Sequence, residues 1–171
     1  SKQFCSHPTT ETGICIPPGL IHRKHPKRVI LHPMSTDIRK NWLPEKFRRL
    51  ALKLKKQGYT PVFCVSPAEK KQWPEAITFP TISELAAYIY ESGGLIGNDS
   101  GLGHLASLLD IPTLSLFARK SYSRLWRPGW NRRAVITPKV PLIGAPMKQR
   151  FWKHCLLTNE VLSHFEKLIK T

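Results

Sequence analysis

Short apolar, β-branched runs alternate along this chain with segments of helical period, and that alternation constrains the fold more than any other feature. KRVILHP predicts a buried strand over 28–31 that runs into a proline. After the loop MSTDIRKNW, Pro44 stands at a first helical position. Phe47, Leu50, Ala51 and Leu54 then recur at i, i+3, i+4 and i+7, and Gly58 stops the helix. PVFCVS predicts a second buried strand. Thr81 with Glu84 three residues on has the spacing of a capping box, opening a helix whose apolar face is Ile82, Leu85, Ala86 and Ile89. GGLIGN is a third strand, and Leu105, Ala106, Leu108 and Leu109 mark a short helix ending near Asp110 and Pro112. TLSLF and AVIT are a fourth and a fifth strand. A last helix from about Thr158 buries Val161, Leu162, Phe165, Leu168 and Ile169. Strands that alternate with helices imply an α/β class, a Rossmann-like parallel sheet with helices on both faces.

At 171 residues the chain fits one domain with a real core. Lys and Arg number 27 against 11 Asp and Glu, and the net charge of +16 attracts phosphates of any kind. The basic runs are spread out (HRKHPKR, KLKK, RLWRPGWNRR), as solvated faces ordinarily are. No apolar run approaches the ~20 residues of a membrane span, and the N-terminal stretch has no apolar core of a secretory signal. Cys5, Cys15, Cys64 and Cys155 are scattered without a CxxC pair, which argues against a structural zinc site and against a disulfide framework. A reducing cytosol is the expected setting.

In open parallel sheets, ligands bind where the carboxyl ends of strands feed helix N-termini. That rule selects HPMSTDIRK, SPAEK, NDSGLGH and FARKS. In NDSGLGH, the amides freed near Ser100 and Gly101 suit an anion. Asp99 would be repelled by phosphate, so it caps the helix or accepts hydrogen bonds from a sugar hydroxyl or a backbone amide. His104 donates to an anion or orients the loop; the plainer alternative is an N-capped turn. Ser35 and Thr36 offer hydroxyls and Arg39 and Lys40 charge, a phosphate cradle without the Walker pattern. Its alternative is a solvated basic loop with Trp42 anchoring the next helix. Glu69 stands where an acid can hold a ribose, although a lone surface glutamate is commoner. RLWRPGW clamps an anion or packs beneath a loop.

The order of these pieces, from RVILHPMSTDIRKNWLPEKF to GLIGNDSGLGHLASLLDIPTLSLF, resembles glycosyltransferase family 9, the heptosyltransferases of lipopolysaccharide core synthesis. The match runs over roughly residues 28–136, and D-S-G-x-x-H followed by P-T-x-x-L-F is its most specific part. The resemblance implies the C-terminal half of a GT-B fold, binding an ADP-sugar, usually ADP-heptose, with no metal and no further cofactor. Carried over by position, Ser35, Thr36 and Lys40 contact the diphosphate, Glu69 the ribose and Asp99 the heptose hydroxyls. Ser100, Gly101 and His104 close the phosphate pocket. Lys40 and Asp99 are the catalytic candidates here, because the family's general base, an aspartate, lies in an N-terminal acceptor domain. Lys40, the amides at Ser100 and Gly101, and Arg39 or Arg119 stabilise the leaving diphosphate. Residues 1–27 are then an interdomain arm and 28–171 the nucleotide-sugar-binding domain. The implied enzyme is an inverting heptosyltransferase of the lipopolysaccharide inner core, cytoplasmic and peripheral on the anionic membrane, with this part inactive alone. Two departures stand out: Met34 replaces a glycine, and Ala118, Arg119 and Lys120 replace G-P-T. They keep open a degenerate transferase half that serves as an interaction subunit. A nucleic-acid-binding domain is the third reading, but recognition motifs are lacking, so no nucleic-acid partner is expected.

Overall fold

The structure, a computed structural model, describes residues 16–118, 133–138 and 151–170. Cys5, Cys15, Arg119, Lys120 and nearly all of the RLWRPGWNRR segment lie outside the described residues. Within them run β1 (His25–His32), α1 (Pro44–Lys56), β2 (Thr60–Phe63), α2 (Ile82–Tyr90), β3 (Ser92–Asn98), α3 (Gly101–Leu108), β4 (Thr113–Leu116), β5 (Arg133–Ile136) and α4 (Thr158–Lys170). All five strands are parallel, in the order β2-β1-β3-β4-β5. The chain steps outward from β1 to β2, then returns across β1 to β3. This reversal opens a crevice above the carboxyl ends of β1 and β3.

Side chains of β1 alternate across the sheet as strand geometry requires. Val29 and Leu31 join the core under α1 and α4, with Phe47, Leu50, Trp152 and Phe165. Ile30 joins the core under α2 and α3, with Leu95, Ile89 and Ala106. The expected parallel sheet with helices on both faces is what forms. α1 buries Phe47, Leu50, Ala51 and Leu54, as their spacing predicts, and has Pro44 in its first turn. Its end is a Schellman motif: the Gly58 amide donates to the Lys55 carbonyl and that of Tyr59 to Leu54, with Gly58 at φ +81°. Gly93 serves a different need, since a Cβ there would lie 1.9 Å from the Pro26 carbonyl oxygen.

Four sequence expectations change. β1 extends beyond 28–31 in both directions, from His25 to His32. The run PVFCVS is not a buried strand: β2 is an edge strand whose residues are exposed or half-buried, and the buried Cys64 and Val65 follow it. The proline in β2 fits that edge position. Ile82 is 67% exposed instead of facing the core, because the first turn of α2 projects over the crevice, and Ile89 carries the burial. Ile169 is only partly buried against the core. Among the described residues, no helix is long and apolar enough to cross a membrane.

Candidate functional site

A cleft of about 580 Å³ opens at the carboxyl ends of β1, β2 and β3. Ser35, Thr36 and Lys40 reach it from the β1–α1 loop, Glu69 from the loop after β2, and Asp99, Ser100, Gly101 and His104 from the β3–α3 junction. All eight residues expected from the sequence therefore meet in one place. Arg39 is not among the lining residues; its guanidinium forks onto Asp37 at 3.0 and 3.2 Å, which holds the Asp37 carboxyl below the usual carboxylate range. Asp37 also accepts from the Arg39 amide and so caps the 3-10 turn Ile38–Lys40. That turn sets the direction in which Lys40 leaves the chain.

Lys40 Nζ donates to Asp99 Oδ2 at 2.6 Å, the side chains being 45% and 10% exposed respectively. Of the tasks expected of Asp99, capping α3 is not the one it performs. Ser100 is the N-cap residue, in extended backbone, and no side chain caps the helix. The buried Ser100 Oγ has no hydrogen-bond partner. The Gly103 amide turns back onto the Ser100 carbonyl at 3.2 Å, while no side chain claims the amides of Gly101 and Leu102, which stand with the Ser100 hydroxyl at the positive end of a helix dipole. Glu69 is no free surface acid: Oε2 accepts from the Ser66 amide at 2.8 Å, closing the turn Pro67–Glu69. Fixed this way, the carboxylate still lines the cleft.

Three features of the cleft were not singled out in the sequence. Asn98 is buried and joins its two sides, accepting from the Trp42 amide at 3.0 Å and donating to the Pro33 carbonyl at 2.7 Å. Trp42 is itself buried and donates from Nε1 to the Leu156 carbonyl, so it does anchor the start of α1. His32 lines the cleft floor, with Nδ1 against the Cys64 carbonyl at 2.9 Å. Burial lowers the pKa of His32, with the Cys64 hydrogen bond and the Glu69 charge opposing. Finally, Val65, Phe79, Pro80, Leu85 and Leu102 give the cleft an apolar lining. Their signal was weak, since they come from four separate segments. An asparagine next to the Asp99 acid was the one legible hint of Asn98. Met34 does not line the cleft; it packs partly buried against the core, with Asn41 Nδ2 near its sulfur at 3.9 Å.

The family model of glycosyltransferase family 9 (heptosyltransferase) matches residues 9–149, most of the chain. The chain belongs to glycosyltransferase family 9. Lipopolysaccharide heptosyltransferase 3 of Escherichia coli K12 is 27% identical over 121 residues, 63% of this chain and 35% of that protein. Among solved structures, a family 9 glycosyltransferase from Veillonella parvula superposes with a TM-score of 0.69 at 21% identity, over 83% of this chain and 45% of that one. The E. coli ADP-heptose lipopolysaccharide heptosyltransferase II gives 0.67 at 18% identity, over 83% and 46%. The E. coli heptosyltransferase WaaC, solved with ADP, gives 0.62 at 19%, over 83% and 44%. At such identities the likeness concerns the fold. The chain spans about a third of the curated family 9 relative and just under half of these structures. One further neighbour in fold, TibC of enterotoxigenic E. coli, is described as dodecameric and iron-containing. Among the described residues of this family 9 chain, no group of three or more His, Cys, Asp or Glu is arranged to hold a metal ion.

Proposed function

We propose that this cleft binds ADP-heptose, the donor in an inverting, metal-independent transfer of heptose to the lipopolysaccharide inner core. One observation carries the reading: the Lys40–Asp99 pair and the unclaimed start of α3 share a cleft with an apolar wall and an anchored acid, Glu69. A nucleoside diphosphate linked to a sugar needs each of these. The diphosphate meets Lys40, Ser35, Thr36 and the amides at Ser100 and Gly101, with His104 at its edge. The adenine ring lies on the wall, the ribose meets Glu69, and the heptose hydroxyls meet Asp99. The donor-binding unit includes more than the expected residues 28–171, since His25–Lys27 already belong to β1 and Ile16 packs in its core, so the arm leading into it is shorter than 1–27.

In the transfer, an acceptor hydroxyl oxygen forms a bond to the anomeric carbon, while the bond from that carbon to the diphosphate oxygen breaks. The hydroxyl proton passes to a general base supplied by the acceptor-binding part of the enzyme. Charge builds on the leaving diphosphate, where Lys40 and the α3 amides stand preorganised. As the diphosphate engages Lys40, the Asp99 oxygen that now holds the ammonium becomes free for the sugar. The net charge of +16 draws in the anionic donor and favours a peripheral position on the anionic cytoplasmic leaflet, where a lipid-borne acceptor sits. Calorimetry with ADP tests the reading. Lys40→Ala weakens binding about ten-fold or more, the worth of a charge-assisted contact. Absence of ADP binding, together with tight, salt-sensitive binding of DNA, would sink it.

A further inference from the structure

His32 is a half-buried residue lining the cleft floor that the transfer described above leaves without a task. It ends β1, which lies between β2 and β3, so it stands between the Glu69 side and the Asp99 side of the cleft. Its Nδ1 lies 2.9 Å from the Cys64 carbonyl, which can only accept, so the proton of the neutral ring sits on Nδ1. Nε2 is then a bare acceptor. The Gly97 backbone passes close to the root of the side chain, near enough that a Cβ built there would come within 3.2 Å of the His32 Cβ. A lone pair so placed repels phosphate and welcomes a hydroxyl. The portion of a nucleoside diphosphate between ring and phosphates is the ribose, and Glu69, close enough to act on His32 through its charge, is an acceptor for the same group. We propose that His32 is a specificity-determining residue, accepting a hydrogen bond from one ribose hydroxyl through the Nε2 lone pair that the Nδ1–H bond to Cys64 leaves free.

This rests on the nucleoside-diphosphate reading of the cleft, and the test separates the two. ADP, 2′-deoxy-ADP and 3′-deoxy-ADP are titrated into the unchanged chain and into His32→Asn and His32→Gln. Asparagine retains a donor near the Nδ1 position but has nothing at Nε2; glutamine retains an acceptor near Nε2. The unchanged chain should prefer ADP over one deoxy analogue by about five- to ten-fold, the worth of one hydrogen bond. His32→Asn should abolish that preference, and His32→Gln should keep most of it. Because each preference is a ratio within one variant, a general loss of stability does not imitate the result. An unchanged ratio in His32→Asn overturns the proposal, whether or not affinity falls for all three ligands. If the unchanged chain binds none of them, the donor reading fails first and the role of His32 with it.

Discussion

Lys40 and Asp99 illustrate why single substitutions in this cleft will not have equal effects. Their 2.6 Å contact pairs a cation that a diphosphate wants with an anion that it does not. Lys40→Ala removes attraction and leaves the mostly buried Asp99 carboxylate uncompensated, so ADP binding should fall ten-fold or more. Asp99→Ala removes a competitor for Lys40. ADP should bind as well or better, while ADP-heptose loses its advantage over ADP. Titrating both ligands into the single and double variants checks this; an advantage of ADP-heptose over ADP that survives Asp99→Ala would show that Asp99 does not contact the sugar, and an ADP loss equal to that of Lys40→Ala would show that it does not compete for Lys40. Gly101 divides stability from function in another way. It has no positive φ, and a Cβ there meets no atom within 4 Å. Gly101→Ala should therefore leave the melting temperature unchanged or raise it, worth about 0.5–1 kcal/mol in a helix. ADP affinity should drop, because the methyl group stands where an anion approaches the α3 amides. A melting temperature lowered by several degrees would show that the glycine serves the fold instead.

The secondary elements owe their legibility to local chemistry. Thr81 and Glu84 form the capping box that their spacing predicts, with the Glu84 amide on Thr81 Oγ1 and the Thr81 amide on Glu84 Oε2. Pro44 and Gly58 likewise bound α1 by preferences that travel with the residue type. Strand order does not travel that way. PVFCVS reads as a buried strand by composition, yet the return crossing from β2 to β3 leaves β2 at the edge. Asn98 shows the same limit, because its partners Trp42 and Pro33 lie more than 50 residues away. It ties the β1–α1 loop to β3, and so fixes the width of the cleft. Asn98→Ala strands the Trp42 amide and the Pro33 carbonyl in a buried place, at a cost of about 2–4 kcal/mol. Urea denaturation should show that loss, and ADP affinity should fall with it as the loops separate. A loss below about 0.5 kcal/mol would mean that water or neighbouring groups satisfy both.

At the scale of the molecule, the position of the site followed from topology, while its floor and apolar wall did not. Loops at strand ends could be picked out because a parallel sheet puts its ligands there. His32 and the Phe79–Leu85 side became part of the site only once β1 and α2 were packed together. Burial of His32 has a further consequence for the whole chain. The folded state holds the imidazole neutral, with its pKa below the ordinary 6.5, mainly through loss of solvent. Below about pH 6.5 the unfolded chain takes up a proton that the folded one refuses. The stability this group contributes is thus present above pH 6.5 and is lost as pH falls through the folded value. Asp37 and Glu75, whose pKa values are also lowered, begin to matter only near their ordinary values of 3.8 and 4.5. The interval from about 6.5 to 5 therefore belongs to His32 among the displaced groups of the described residues. The midpoint of urea denaturation should fall across that interval in the unchanged chain. In His32→Asn, which has nothing to titrate there, the fall should be clearly shallower. An equally steep fall in both would mean that the imidazole is solvated in the folded state, and that Nε2 is protonated too readily to serve as an acceptor.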